Sequence, residues 1–534
     1  MSPRRTALIA SILGSGIVFL DGTIVNVALP AIRASLHGGL AQQQWVVEGY
    51  LLTLAALLLV GGSLGDLFGR RRVFRAGLLA FALCSLLCAI SPSAGLLIAA
   101  RTIQGVAGAL LVPSALALIM DTFPESERAG AIGSWTAWAG IFTVIGPLGG
   151  GALIQAASWR WIFAINIVPV AIALVLLGRL PDDRHSRGRV DFPGAILCAL
   201  GLAGPVFALI EEPTFGWGDA GVLIPLLAGV TLLAAFVAWE RRAREPMMPL
   251  SLFSVRNFTV GNLTTLCLYA GLSVATFFVV LYVQQVGGYT PLEAGTALLP
   301  LTILMFTLSR RFGTLADRLG PHLFMGAGPL VAGGGLLLLL RAGARPSYLT
   351  EILPGIAVFG LGMAITVAPL TATVLSSVQA GHSGLASGVN NAVSRMAGLL
   401  AIAALGAVVS ASFGARLDHN LRSQPLSAPA RAAVLAARSR PLVIDPAGVP
   451  STERPVVRGA LVDASVHAFR TGMAIAGALA MLGGMIALAG ISNPRRRVSC
   501  ADCPGGALVA APGVSASRGK PEQAGEAQRQ ERVA

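Results

Sequence analysis

Gly62-Ser63-Leu64-Gly65-Asp66-Leu67-Phe68-Gly69-Arg70-Arg71-Arg72 separates two apolar runs, and Gly313-Thr314-Leu315-Ala316-Asp317-Arg318-Leu319-Gly320 repeats its Gly-x-Leu-x-Asp pattern later in the chain. Glycines permit a tight reversal, while the Asp and Arg side chains can bridge neighbouring helix ends and their dipoles. One such stretch is a charged turn. Two, at equivalent places, indicate a chain made of two related halves, a known design of membrane transport folds.

Working outward from these turns, the sequence divides into apolar segments of a length that spans a bilayer as helix, about 17–25 residues each. They lie near 7–31, 45–65, 73–91, 96–120, 130–155 and 161–178, then 191–210 and 220–239, then 258–284, 292–309, 323–340, 350–374, 386–412 and 471–490. The expected fold is an all-α integral membrane protein of about fourteen transmembrane helices. Its organisation is a six-helix bundle over 1–180, an inserted helix pair with basic linkers over 181–256, and a second six-helix bundle over 257–490. A tail over 491–534, rich in Gly, Pro, Ser and Gln, is expected to be disordered and cytoplasmic.

Composition agrees. Of 534 residues, 54% are hydrophobic and only 12% charged, about half the ~25% of a soluble protein. The net charge of +14 would suit a nucleic-acid binder if it formed one basic face. Instead the charges fall in short clusters between apolar runs, the pattern of loops facing anionic lipid. Arg4, Arg5, Arg70 to Arg72, Arg184 to Arg189, Arg241 to Arg244, Arg310 to Arg318 and Arg495 to Arg497 lie on one side. The opposite short loops hold little beyond Arg33, Arg160, Arg341 and Arg345. Both termini are therefore expected in the cytoplasm. The segment 413–470 carries eight further arginines on the outer side, but long loops follow the rule weakly. Its Ala-rich stretches around several prolines suggest a partly helical external cap.

Cys84, Cys88, Cys198 and Cys267 lie inside apolar runs, and Cys500 and Cys503 form a C-x-x-C in the tail. No second pair of metal ligands accompanies that motif, so neither a disulfide framework nor a metal site is expected. No cleavable leader is expected either, since the first apolar run contains Asp21 and continues into a span. No Walker loop, HExxH or Ser/His/Asp spacing points to an enzyme.

Charged groups at membrane depth are the candidate site. Asp21 stands about 13 Å before Pro30 at helical rise, where a carboxylate costs about 2.5–3.5 kcal/mol on insertion scales. Arg101 stands about 7 Å inside the fourth helix. Glu48 stands near the outer end of the second, either as a proton or cation site or as a wetted, inert acid. Arg395, about 15 Å into the thirteenth span, forms with Asn390 and Asn391 the most polar patch of the second half. Thr290-Pro291-Leu292-Glu293, by contrast, has the form of a capping box with proline at the first helical position.

Taken together these residues resemble the major facilitator superfamily. The doubled Gly-x-Leu-x-Asp turn is similar to its signature loop, with Gly62, Asp66, Gly69, Arg70, Gly313, Asp317 and Arg318 as switch residues. Asp21-Gly22-Thr23-Ile24-Val25-Asn26-Val27-Ala28-Leu29-Pro30 looks like the first helix of its fourteen-span drug:proton antiporter branch. Arg101-Thr102-Ile103-Gln104-Gly105 resembles the fourth-helix motif, and Gly146-Pro147-Leu148-Gly149-Gly150 the fifth-helix antiporter motif. Trp159-Arg160-Trp161-Ile162-Phe163 with Asn166 and Pro169, and Pro246-Met247-Met248-Pro249-Leu250, match the branch as well. Phe142 departs from it, standing where the fifth-helix motif usually has an earlier glycine.

The resemblance implies a proton-coupled antiporter exporting amphipathic, often cationic, drugs or antibiotics across the bacterial cytoplasmic membrane. Helices one and four would pack together and bring Asp21 to Arg101. Asp21, Arg101 and Glu48 would couple protons, and Asn26, Gln104, Asn390, Asn391 and Arg395 would border the substrate cavity. The proton gradient would replace any cofactor. The partners would be small molecules, protons and lipid, with no nucleic acid and no obligatory protein. Two alternatives stay open: an exporter of one secondary metabolite giving self-resistance, and a receptor or sensor on the same scaffold that does not transport.

Overall fold

The computed structural model describes residues 2–180, 191–243, 246–378, 383–438, 440–444 and 448–493. The arginines expected at 184–189, 244 and 495–497 and the Cys500–Cys503 pair lie outside them. The helices of the first half are α1 (Pro3–Leu36), α2 (Leu40–Phe68), α3 (Arg70–Ala89), α4 (Ala94–Thr122), α5 (Glu125–Ala156), α6 (Trp161–Ala164) and α7 (Ile167–Gly178). The inserted pair is α8 (Phe192–Phe215) and α9 (Ala220–Glu240). The second half holds α10 (Arg256–Gln285), α11 (Pro291–Ala297), α12 (Leu299–Leu319), α13 (Pro321–Leu338), α14 (Leu353–Ser376), α15 (Ser383–Leu421), α16 (Ala428–Arg438) and α17 (Arg454–Gly490).

Helix is the physical answer to these sequences, because lipid offers no partner for backbone N–H and C=O groups. Among the described residues thirteen helices are long and apolar enough to span, and fourteen when α2, bent by 54° between Leu40–Leu58 and Val60–Phe68, is taken as one. The sixth span is broken into α6 and α7, and the tenth into α11 and α12, whose start carries the expected Thr290–Glu293 capping box.

The two signature turns have the same backbone form. Gly69 (φ 95°, ψ 128°) ends α2 and starts α3; Gly320 (φ 91°, ψ 147°) ends α12 and starts α13. A side chain at either position would strain the reversal. The internal duplication is thus visible in dihedral angles as well as in sequence.

Two spans run longer than their apolar cores. α15 has 39 residues and α17 has 37, against about 20 needed to cross. Their extensions are tied together by Arg416 Nε and Asn420 Nδ2, which donate to Asp463 Oδ2 at 2.7 and 2.8 Å. The segment 413–470 is therefore mostly helix, with α16 laid over it; Arg438 pairs with Asp418, and the Ser427 hydroxyl donates to Glu453 Oε2 at 3.0 Å.

The halves meet at the end distant from the N-terminus. There Gln44 Nε2 of α2 donates to the Ile402 carbonyl of α15 at 2.9 Å, and Gln284 Nε2 of α10 to the Val27 carbonyl of α1 at 3.1 Å. Gly151 of α5 lies against the backbone of Pro291 and Leu292, and Gly295 of α11 against the Pro147 carbonyl. Toward the N-terminal end the same elements part: nothing lies within 4 Å of where a Cβ would stand on Gly130, Gly133 or Gly140 of α5, and Ile303, Phe306, Leu315 and Leu319 of α12 are exposed. The inserted pair sits at one side of the division. α8 packs on both α2 and α15, Trp45 Nε1 donates to Glu211 Oε1 at 2.8 Å, and α9 covers α8.

Candidate functional site

Five spans of the first half converge on one buried polar cluster. α1 supplies Asp21, α3 supplies Ser85 and Cys88, and α4 supplies Arg101 and Gln104, one turn apart on one face. α2 supplies Tyr50, and the break between α6 and α7 supplies Asn166. Close approach of α2 and α4, with Gly105 seated against the Tyr50 backbone, brings the arginine into this space. Asp21, Ser85, Gln104 and Asn166 are fully buried and Arg101 is 1% exposed.

Arg101 Nη1 pairs with Asp21 Oδ2 and donates to Gln104 Oε1 at 2.9 Å, while Arg101 Nε donates to the Val46 carbonyl at 3.1 Å. Asp21 Oδ1 accepts from Asn166 Nδ2 at 3.0 Å and from Gln104 Nε2 at 3.4 Å. The two amides also donate to the Ser85 hydroxyl, at 3.2 and 2.8 Å. The Arg101 guanidinium lies 4.1 Å from the centre of the Tyr50 ring, whose hydroxyl donates to the Val18 carbonyl at 3.2 Å. Each charge is thus matched by an opposite charge and further hydrogen bonds, as an ion pair in an apolar interior requires. Beside it, nothing lies within 4 Å of a Cβ placed on Gly22, so the chain position next to Asp21 borders open space.

Glu48 is a different case. It is fully buried, and both its carboxyl oxygens lack any hydrogen-bond partner among the described residues. The structure does not bring it into the Asp21–Arg101 cluster.

Among the expected cavity residues the outcome is divided. Asn26 is half-buried with an unpartnered Oδ1, and Asn391 is exposed, its Nδ2 donating to the Ser387 carbonyl at 3.0 Å. Arg395 is half-buried. Gln104, however, is locked inside the polar cluster rather than bordering a cavity. Asn390 points into helix packing, donating to Asn262 Oδ1 at 3.1 Å and Thr265 Oγ1 at 2.9 Å on α10. Both corrections have one cause: polar side chains at membrane depth are satisfied between helices when a partner is near.

At the first turn, Arg70 ties three helix ends: Nη2 donates to Asp66 Oδ1 at 2.9 Å, and Nη1 to Asp121 Oδ1 at 2.5 Å and the Ala117 carbonyl at 3.3 Å. Gly62 lies beside Pro113 of α4. At the second turn Gly313 lies beside Ala368 of α14, and Asp317 is exposed and makes no ion pair among the described residues. Asp317 therefore does not bridge helix ends as its counterpart does. In α5, Gly146 and Gly150 sit against Thr23 and Ile24 of α1, while Gly149, next in line after Pro147 and Leu148, meets only Ile145 of its own helix. Phe142, the departure from the expected pattern, lies over Gly16 of α1, so the missing glycine of one helix is supplied by its neighbour.

Ser85, Tyr50 and Asp121 were not singled out from sequence, and Asn166 was named there only as part of a family motif, without a role in this cluster. Asp121 had a signal, an acid at the C-terminal end of an apolar span. The other three are common residues of transmembrane helices, placed only by the packing.

Residues 11–402 match the family model described as Major Facilitator Superfamily. The chain is 34% identical over 495 residues to a tetracenomycin C resistance and export protein of Streptomyces glaucescens, covering 90% of each. It is 35% identical to the multidrug resistance protein Stp of Mycobacterium tuberculosis, covering 78% of this chain and 77% of that one. Among solved structures, an inward-facing, unoccupied bacterial homologue of the lysosomal transporter Spinster superposes with a TM-score of 0.65 at 17% identity, covering 92% of this chain and 99% of the other.

Proposed function

This chain belongs to the major facilitator superfamily, and from that premise we propose that it exports amphipathic drugs and antibiotics, cationic ones among them, across the bacterial cytoplasmic membrane in exchange for protons. The observation that carries this is the buried Asp21–Arg101 pair beside open space at Gly22. Antiport needs a group whose protonation differs between two conformations, and a buried carboxylate paired with Arg101 and hydrogen-bonded by Asn166 and Gln104 supports that role for Asp21. Protonating Asp21 removes one charge of the pair and weakens its hold on Arg101; deprotonation restores it.

The arginine asymmetry puts the N-terminal end in the cytoplasm. The parted ends of α5 and α12 then face inward, and the Gln44–Ile402 and Gln284–Val27 contacts form the outer closure. Glu48, buried and without a hydrogen-bond partner among the described residues, is the second acid proposed to take part in proton movement. Exchange proceeds by rocking of the two halves around the division, with the Arg70 tie among Asp66, Asp121 and Ala117 holding the ends of α2, α3 and α4 together as one body of the first half. No covalent chemistry and no partner protein enter this scheme.

Everted vesicles carrying the protein should accumulate amphipathic drugs when the lumen is acidified, and a protonophore should abolish accumulation. Accumulation that survives collapse of the gradient would refute proton coupling. The relative named for tetracenomycin C alone favours a second form of the proposal, a narrow exporter of one metabolite. Transport restricted to one compound in a broad panel distinguishes it.

A further inference from the structure

We infer that Arg395 receives an acidic group of the transported molecule, so that the substrate range includes amphiphiles bearing a carboxylate, sulfonate or ionised phenol; this role rests on the export function proposed above. Arg395 lies on α15 about 18 Å from the start of that helix, well inside the membrane. An arginine at such depth needs a counter-charge or backbone acceptors. Arg101 has both. Arg395 makes no hydrogen bond and no ion pair with any described residue.

The neighbouring elements explain why. α14 carries no charged residue, and α10 carries only Arg256, bonded to the Gly490 and Ala489 carbonyls at its inner end. On α17, Asp463 is held by Arg416 in the external cap. On α8, Glu211 accepts from Trp45 at the outer end, and Glu212 follows it there. On α2, Glu48 is buried without partners, and Asp66 is taken by Arg70 at the inner end.

The position is also the right one for a substrate. α15 packs on α2 of the first half, and Met396, next to Arg395, packs against the cluster that holds Leu52 of α2, so Arg395 stands at the division between halves. Neighbouring positions of α15 are occupied: Asn390 bonds to α10, Gly398 lies against Ser273, and Leu399, one turn after Arg395, packs with Ala403 on α8. Asn391, one turn before Arg395 on the same face, is exposed. On α2, Tyr50 stacks under Arg101, whose charge Asp21 already neutralises. The excess charge at the division is therefore positive, and an arriving anion completes it. A guanidinium also offers the paired donors that carboxylate and sulfonate accept.

The test uses the full-length protein in nanodiscs of phosphatidylcholine and two probes with one frame: 1-anilinonaphthalene-8-sulfonate and its uncharged parent, N-phenyl-1-naphthylamine. Wild type should bind the sulfonate saturably, and Arg395→Gln should bind it about tenfold more weakly. Arg395→Lys should recover part of the affinity, and the uncharged parent should bind all three alike. Absent or equal sulfonate binding, or equal loss of both probes, overturns the inference. Replacing a third of the lipid with phosphatidylglycerol should leave sulfonate affinity unchanged; marked competition would assign Arg395 to a lipid headgroup instead. Accumulation of the uncharged probe in energised everted vesicles tests export separately, so failure of either claim is recognisable.

Discussion

Replacing Asp21 by asparagine perturbs the cluster in a way that can be worked from its hydrogen bonds. Asp21 accepts from Arg101, from Asn166 at 3.0 Å and from Gln104 at 3.4 Å. Asparagine keeps one carbonyl oxygen and turns an NH₂ toward groups that are themselves donors. Arg101 stays buried with its charge uncompensated, which costs about 3–5 kcal/mol when one side of a buried pair is removed. The double variant Asp21→Asn/Arg101→Gln removes both ions, so much of that loss should return. In detergent the single variant should melt well below wild type and the double variant nearer to it. In everted vesicles neither should accumulate a cationic drug under an acid-inside gradient, because no titrating group remains at the position. Asp21→Glu should retain part of the activity at its longer reach. Proton-dependent accumulation by Asp21→Asn would show that another acid carries the coupling and would refute the central role of Asp21.

Glu48→Gln should leave stability within about 1 kcal/mol, because a neutral side chain replaces one already without partners, yet should change the pH dependence of transport; an unaltered profile excludes Glu48 from proton movement. Gly16→Ala should destabilise by about 1–3 kcal/mol through collision with Phe142, and Phe142→Ala in the same chain should relieve it, read as recovery of the melting temperature. Asp66→Asn should slow turnover with substrate affinity nearly intact, since the turn governs switching rather than contact; lost equilibrium binding at normal turnover would contradict this. A cysteine at the exposed Ala432 of α16, in a background lacking native thiols, should react with an impermeant maleimide in intact cells. Labelling only after lysis would invert the topology.

Much of the architecture was legible because lipid imposes few solutions: length and apolarity determine the spans, while arginine placement gives the direction proposed for them. The Asp21–Arg101 pair was expected from the resemblance, which implies that the first and fourth helices pack together, and the structure brings the two side chains into contact. Arg70 was expected to bridge helix ends and does so. Gln104 and Asn390 were misplaced because an amide fits a wet cavity and a dry helix contact equally well in sequence. The lengths of α15 and α17 were missed because their outer turns are polar, and only the Arg416–Asp463 tie shows that helix continues. The exchange of bulk between Gly16 and Phe142 involves two helices far apart in the chain, and no local pattern announces it.

The inserted pair has a consequence for how molecules reach the cavity. Because α8 packs on both α2 and α15, with α9 outside it, that edge of the division is walled off from the surrounding lipid. Among the described residues no such pair covers α5 and α12, and Ile303, Phe306 and Leu319 of α12 are exposed. The division is thus covered by an added helix pair on one side. If the proposed export function holds, a hydrophobic compound arriving through the bilayer would enter at the side away from α8 and α9. Its capture would then be directional in the bilayer plane, set by a helix pair packed outside the ion pair.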